Sequence, residues 1–115
     1  MKFILLIAGD EAKEAAMNPA ELDQIVAAYG PYTDALIQAG VLVAGERLKE
    51  SNNATTVRIR DGKTSVLDGP YADTKEQLGG FYIIDVDDLD AALAWAARCP
   101  SAPIGSIEVR PIWPM

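Results

Sequence analysis

The chain has 115 residues, half of them apolar and 23% charged, which suits one domain with its own core and excludes a disordered chain. Seventeen acids against ten bases give a net charge of −7, and the only basic feature is the spaced pair Arg58 and Arg60, which argues against nucleic acid and anionic membranes as partners. With no histidine and one cysteine, the chain lacks the groups for Ser-His-Asp or Cys-His catalysis and for a zinc site.

In chain order, residues 2–8 (Lys-Phe-Ile-Leu-Leu-Ile-Ala) form a short apolar run that reads as a strand buried on both faces. The run is shorter than a secretory apolar region and no stretch approaches a membrane span, so a cytoplasmic protein is expected. Gly9 to Met17 is a charged connection with a loose helical turn. Asn18-Pro19-Ala20-Glu21 starts a helix, with Asn18 as cap, Pro19 in the first turn and Glu21 placed to reach back. Leu22, Ile25, Val26, Tyr29, Thr33, Leu36 and Ile37 follow helical spacing, and Gly40 stops the helix. Pro31 cannot donate to the carbonyl of Ala27, so a kink or break is expected there.

Val41 to Leu48 is the second strand, apolar on both faces until Glu46 and Arg47. A loop leads to Thr55–Arg60 and Lys63–Leu67, which flank Asp61-Gly62, a strong hairpin signal. Asp68-Gly69-Pro70 is a turn, and Tyr71 to Gln77 is irregular and charged. Gly79-Gly80 opens the strand Phe81–Val86. Asp87 is the expected cap of a second long helix with the stripe Leu89, Ala92, Leu93, Ala96 and Cys99, ended by Pro100. Strand Gly105–Arg110 follows, then a proline-rich tail.

The order is β-α-β, a hairpin, then β-α-β. Without the hairpin it is the ferredoxin-like βαββαβ arrangement, an α+β fold over residues 1–115 as a single domain. Two helices cover one face of such a sheet. Yet the strands are apolar on both faces, Phe3, Leu5 and Ile7 against Ile4 and Leu6, and Phe81 and Ile83 against Tyr82, Ile84 and Val86, and an uncovered apolar sheet face of that extent marks an interface. A second copy across a two-fold axis is the simplest cover, so a homodimer packed sheet to sheet is expected.

Several blocks also carry a resemblance. They are Lys2-Phe3-Ile4-Leu5-Leu6-Ile7, Ala39-Gly40-Val41-Leu42, Gly45-Glu46, Val57-Arg58, Asp68-Gly69-Pro70-Tyr71-Ala72-Asp73-Thr74-Lys75-Glu76, Gly79-Gly80-Phe81-Tyr82 and Glu108-Val109-Arg110-Pro111. In these the chain resembles the YCII-related family, DGPF-domain type, over nearly its whole length. Tyr71 takes the place of the Phe in the motif. The resemblance implies a dimeric α/β-barrel with a cleft between sheet and helices. It also implies a possible link to sigma-factor transcription regulation, and hence a transcription-regulator partner. Some relatives carry a His–Asp pair proposed as catalytic; this chain has no histidine, so the pair is not carried over.

Each candidate site residue has a plainer reading beside it. Asp68 is a candidate acid/base or ligand carboxylate, or the side chain of an Asx turn. Lys75 and Glu76 could bind a ligand or tune a proton-transfer group, or form a surface ion pair. Glu46 could project into the cleft as a general acid, or pair with Arg47, Arg58 or Lys75. Arg58 could grip a carboxylate or phosphate, or sit on the wet face of the hairpin. Tyr82 is the better pocket tyrosine and Tyr29 the better core one. Gly79-Gly80 favours a bulge over close ligand approach. Cys99 reads as a buried thiol. Only oxygen-ligated Mg²⁺ or Ca²⁺ stays chemically open, and no loop spacing supports either, so neither metal nor cofactor is expected. The expected function is small-molecule binding or an accessory, regulatory role in a cleft near Glu46, Asp68, Lys75, Glu76 and Tyr82. One alternative is an enzyme using carboxylate and tyrosine acid–base chemistry on a small organic acid or lactone. Another is a protein-interaction module.

Overall fold

Alternation within apolar strands decides which residues meet the helices. In the computed structural model, which describes residues 1–72 and 74–115, β1 (Lys2–Gly9) buries Phe3 and Leu5 completely and leaves Ile4 and Leu6 half-buried on the opposite face. Asp73, the acidic position of the Asp-Gly-Pro block, lies outside the described residues. The order continues with α1 (Glu11–Ala15), α2 (Pro19–Gln38), β2 (Leu42–Arg47), a 3₁₀ turn at Ser51–Asn53, β3 (Thr55–Arg60), β4 (Lys63–Asp68), β5 (Gln77–Asp85), α3 (Leu89–Ala97) and β6 (Ser106–Pro111).

Among the described residues four strands form an antiparallel sheet in the order β2-β5-β1-β6, and β3 pairs only with β4. This is a mixed α+β architecture, and the sheet order is compatible with a ferredoxin-like fold. The core lies between the sheet and the long helices: Phe3, Leu5 and Ile84 from the strands, Tyr32 and Leu36 from α2, Ala92 and Ala96 from α3, then Cys99. Small alanines on α3 let that helix settle close against the sheet, which leaves Leu89 and Leu93 exposed.

Local chemistry sets the element ends. Asp10 caps α1, with Oδ1 accepting from the Lys13 amide at 3.1 Å. Asn18 caps α2 through the Ala20 amide at 2.9 Å, and Pro19 stands in the first turn as the sequence predicts. Of the kink or break expected at Pro31, the break does not occur: α2 runs unbroken through it. Ala27, Gly30 and Pro31 all face solvent, where water can serve the freed Ala27 carbonyl, while Tyr29, Tyr32 and Leu36 hold both halves to the core. The cap of α3 is Asp88, one residue after the expected Asp87, with Oδ1 accepting from the Ala91 amide at 2.8 Å. Asp61 and Gly62 take φ of 52° and 74°, the two left-handed residues of a two-residue hairpin turn.

The β1–β5 register slips between Ile7 and Ala8, where Ile7 faces Gly80 and Ala8 faces Leu78, so Gly79 is the extra residue of a bulge. A Cβ on Gly80 would lie 2.8 Å from the Glu46 carbonyl oxygen, which explains the second glycine. The principal extents are 47 × 43 × 18 Å, a thin slab. The radius of gyration, 16.0 Å, exceeds the ~13 Å of a compact chain of this size. The excess width fits the β3–β4 hairpin, which forms a two-stranded sheet of its own.

Candidate functional site

Where α1 and α2 meet the ends of β1, β2 and β5, the layers part around a cavity of about 610 Å³. That volume is in the range of small-molecule sites. Ile7, Ala15, Leu22, Ile25, Val26, Leu42, Leu48 and Ile104 supply apolar walls. Hydroxyl, carboxyl and guanidinium groups from Tyr29, Thr33, Tyr82, Ser101, Glu11, Glu14 and Arg47 join them. Apolar walls with a few converging polar groups are the usual make-up of a ligand site.

Aromatic packing shapes the wall nearest the core. Tyr32 meets Tyr82 edge to face at 5.5 Å between centroids, Tyr29 at 6.4 Å and Trp95 at 6.3 Å, and Tyr29 lies nearly parallel to Tyr82. Their hydroxyls are held in place. Tyr32 donates to the Trp95 carbonyl at 2.8 Å, Tyr29 donates to Ser101 Oγ at 2.6 Å, and Tyr82 shares a 2.7 Å bond with Thr33 Oγ1. With the Tyr29 proton committed, the thiol of Cys99, 3.4 Å away, is the donor to the Tyr29 oxygen. Burial raises the pKa of Tyr29 and Tyr32 well above the ordinary tyrosine value, so both hydroxyls stay protonated at any working pH. Gly45 makes room for this wall, since a Cβ there would lie 2.6 Å from the Tyr82 ring.

The other wall is built by α1. Glu11 latches it to its neighbours. Its carboxylate accepts from the Ser51 amide at 2.8 Å and from Ser51 Oγ at 2.7 Å, and its own amide donates to Gln77 Oε1 at 2.9 Å. One turn on, the Glu14 carboxyl lies against the Gly9 backbone, in space a Cβ on Gly9 would need. Burial raises the Glu14 pKa above the ordinary glutamate value; Glu11 and Asp10 add to this, and Arg47 opposes it. Arg47 reaches the same end of the cavity because its register partner on β5 is Gly80, on the helix side of the sheet.

Of the residues singled out from sequence, Tyr82, Tyr29, Gly79 and Gly80 line this cavity and Glu46 borders it. Glu46 opposes Phe81 in the register, which places it on the sheet face away from the helices. The others sit elsewhere. Asp68 pairs with Thr55 at the base of the hairpin and is exposed. Arg58, in mid-hairpin, donates to the Tyr71 carbonyl at 3.3 Å and lies 5.2 Å from the centre of the Tyr71 ring. Glu76 accepts from Ser106 Oγ at 2.7 Å, and Lys75 is exposed. Sequence reasoning missed Glu11, Glu14, Arg47, Thr33 and Ser101, and it assigned Tyr29 to the core alone. A signal existed for two of them: Glu11 and Glu14, three apart in a short charged helix directly after β1, share one helical face.

Among the described residues no helix is long and apolar enough to cross a membrane, and no cluster of potential metal ligands occurs. An uncharacterised protein of Rhizobium meliloti (strain 1021) is 38% identical to this chain over 114 residues, covering 97% of this chain and 92% of that protein. The YCII-related domain matches residues 1–115, from the first strand to the tail after β6, so the chain belongs to the YCII-related family.

Proposed function

We propose that the protein binds a small molecule in the cavity between α1, α2 and the sheet. The observation that supports this most is the cavity itself: about 610 Å³ of apolar-walled space with hydroxyls on one side and Glu14 and Arg47 on the other. The apolar body of a ligand would lie along Leu22, Ile25 and Val26, and a polar group would meet Glu14 and Arg47. A thermal-shift screen with small organic acids, lactones and amines tests this, because a ligand of the native state raises Tm. Ala15→Trp, on the exposed side of α1, is expected to fill the cavity mouth and abolish any shift without lowering the Tm of the free protein. A ligand shift of the same size in that variant would place the binding elsewhere.

The protein would work as a homodimer, two sheets facing across a two-fold axis in a dimeric α/β-barrel with the hairpin inserted between β2 and β5. The support is the sheet face away from the helices, where Ile4, Leu6, Phe81 and Ile83 form a half-buried apolar block. Glu46, Glu108 and Arg110 flank that block in the register. Light scattering on the purified chain should give the mass of two copies, and Leu6→Asp should give one.

A second reading, acid–base catalysis on a small organic acid or lactone, is favoured by one observation. The raised pKa of Glu14 keeps a larger share of its carboxyl protonated, as a general acid at the cavity wall requires. No turnover of such compounds by the wild type would remove that reading and leave binding intact, and turnover that survives both Glu14→Gln and Tyr82→Phe would take these two groups out of the chemistry.

A further inference from the structure

We infer that the β3–β4 hairpin is an arm that packs its Val57, Ile59 and Val66 face onto a second copy of this chain. The inference rests on the dimer proposed above and adds the element that clasps the partner. Val57 and Val66 are direct register partners, and Ile59 follows on the same face two residues along. These three side chains are 61–63% exposed. A two-stranded hairpin in water is marginal by itself and needs a third strand or a packed face to hold its shape. Among the described residues its strands join no other sheet, and only the Thr56–Arg58 side is covered, by Tyr71, so the valine side is the one left open.

Charge selects the occupant. Residues 55–68 carry Arg58, Arg60 and Lys63 against Asp61 and Asp68, a net charge of +1, so the rest of the chain carries −8 of the total −7. Arg60 and Lys63 are register partners, and with Arg58 they make the face opposite the valines basic. The arm is thus apolar on one side and basic on the other, and the body it extends from is acidic. A second acidic body of the same kind suits it, and a two-fold axis gives two arms and two receivers in a closed pair. Reach is sufficient: six residues of strand span about 20 Å, and four strands side by side span about 14 Å.

The test uses the full chain in sedimentation and in hydrogen exchange. The pair Val57→Ser with Ile59→Ser is expected to raise the dimer Kd about a hundredfold. Arg60→Glu with Lys63→Glu is expected to raise it about tenfold, with the effect shrinking as salt is added. In the wild type, amides of Thr55–Asp68 should be protected at high protein concentration and exchange quickly on dilution. Both variants should keep the native far-UV spectrum. If the wild type is a dimer and neither variant changes its Kd, the arm is not part of the interface and the sheet-face dimer stands without it. A wild type that stays monomeric at millimolar concentration overturns arm and dimer together. Concentration-independent protection of the hairpin, or its protection only by a different protein, also overturns the arm.

Discussion

Two residues decide much of the cavity, for opposite reasons. Gly45 matters because it has no side chain: the Tyr82 ring occupies the place of its Cβ. Gly45→Ala must turn that ring and break the Thr33–Tyr82 bond, which should cost about 1–3 kcal/mol in urea unfolding. Glu14 matters because its carboxyl is held in poor surroundings, with burial first and two acidic neighbours second. Since its native pKa is raised, the folded protein keeps a proton that the unfolded chain releases. The stability linked to that proton is therefore present below the ordinary glutamate range and is lost as pH rises through the raised value. Glu14→Gln should melt slightly higher than wild type at pH 7 and level with it at pH 4. The gain should stay within about half a kcal/mol because a half-buried carboxyl is still screened by water. A lower melting point for the variant at pH 7 would mean that Arg47 attracts the carboxylate more strongly than burial penalises it.

At the scale of elements, the cap of α3 offers a sharp comparison. Asp88 takes the Ala91 amide, while neighbouring Asp87 is exposed and not the cap. Asp88→Ala should cost about 1 kcal/mol and Asp87→Ala close to nothing, read by the same denaturation curves. Sequence alone could not separate two adjacent acids at a helix start, since both residue types cap well. The order of strands and helices was legible because each signal was local: Asn18-Pro19, Asp61-Gly62, Gly79-Gly80 and the apolar runs of β1 and β5 act through their own backbone. Pro31 does not break α2 because three inward-facing side chains around it outweigh one missing hydrogen bond. The cavity was harder to read. Tyr82 could be picked from its strand, but the Asp-Gly-Pro block drew attention to Asp68 and Lys75, which the fold keeps out of the cavity lining. What brings Glu14, Arg47 and Tyr29 together is the closing of α1 and α2 over three strand ends, a contact between distant segments that no single stretch encodes.

Over the whole molecule, the thin slab has one sheet face sealed by helices and another left with half-buried Ile4, Leu6, Phe81 and Ile83. If two such faces meet, unfolding is coupled to dissociation. The melting temperature should then climb by a few degrees per tenfold rise in protein concentration, as scanning calorimetry would show. A flat response would mean the slab is stable unpaired.

Cys99 is 2% exposed behind Tyr29, and it is the only thiol in the sequence. A colourless disulfide dye that turns yellow on reaction should therefore find no target on the intact protein. Its colour should develop only as fast as α2 and α3 swing apart, so one absorbance trace, free of any engineered label, counts those openings. A molecule lodged beside Tyr29 and Ser101 should slow the trace, which would give an unlabelled readout of occupancy even where no chemistry takes place.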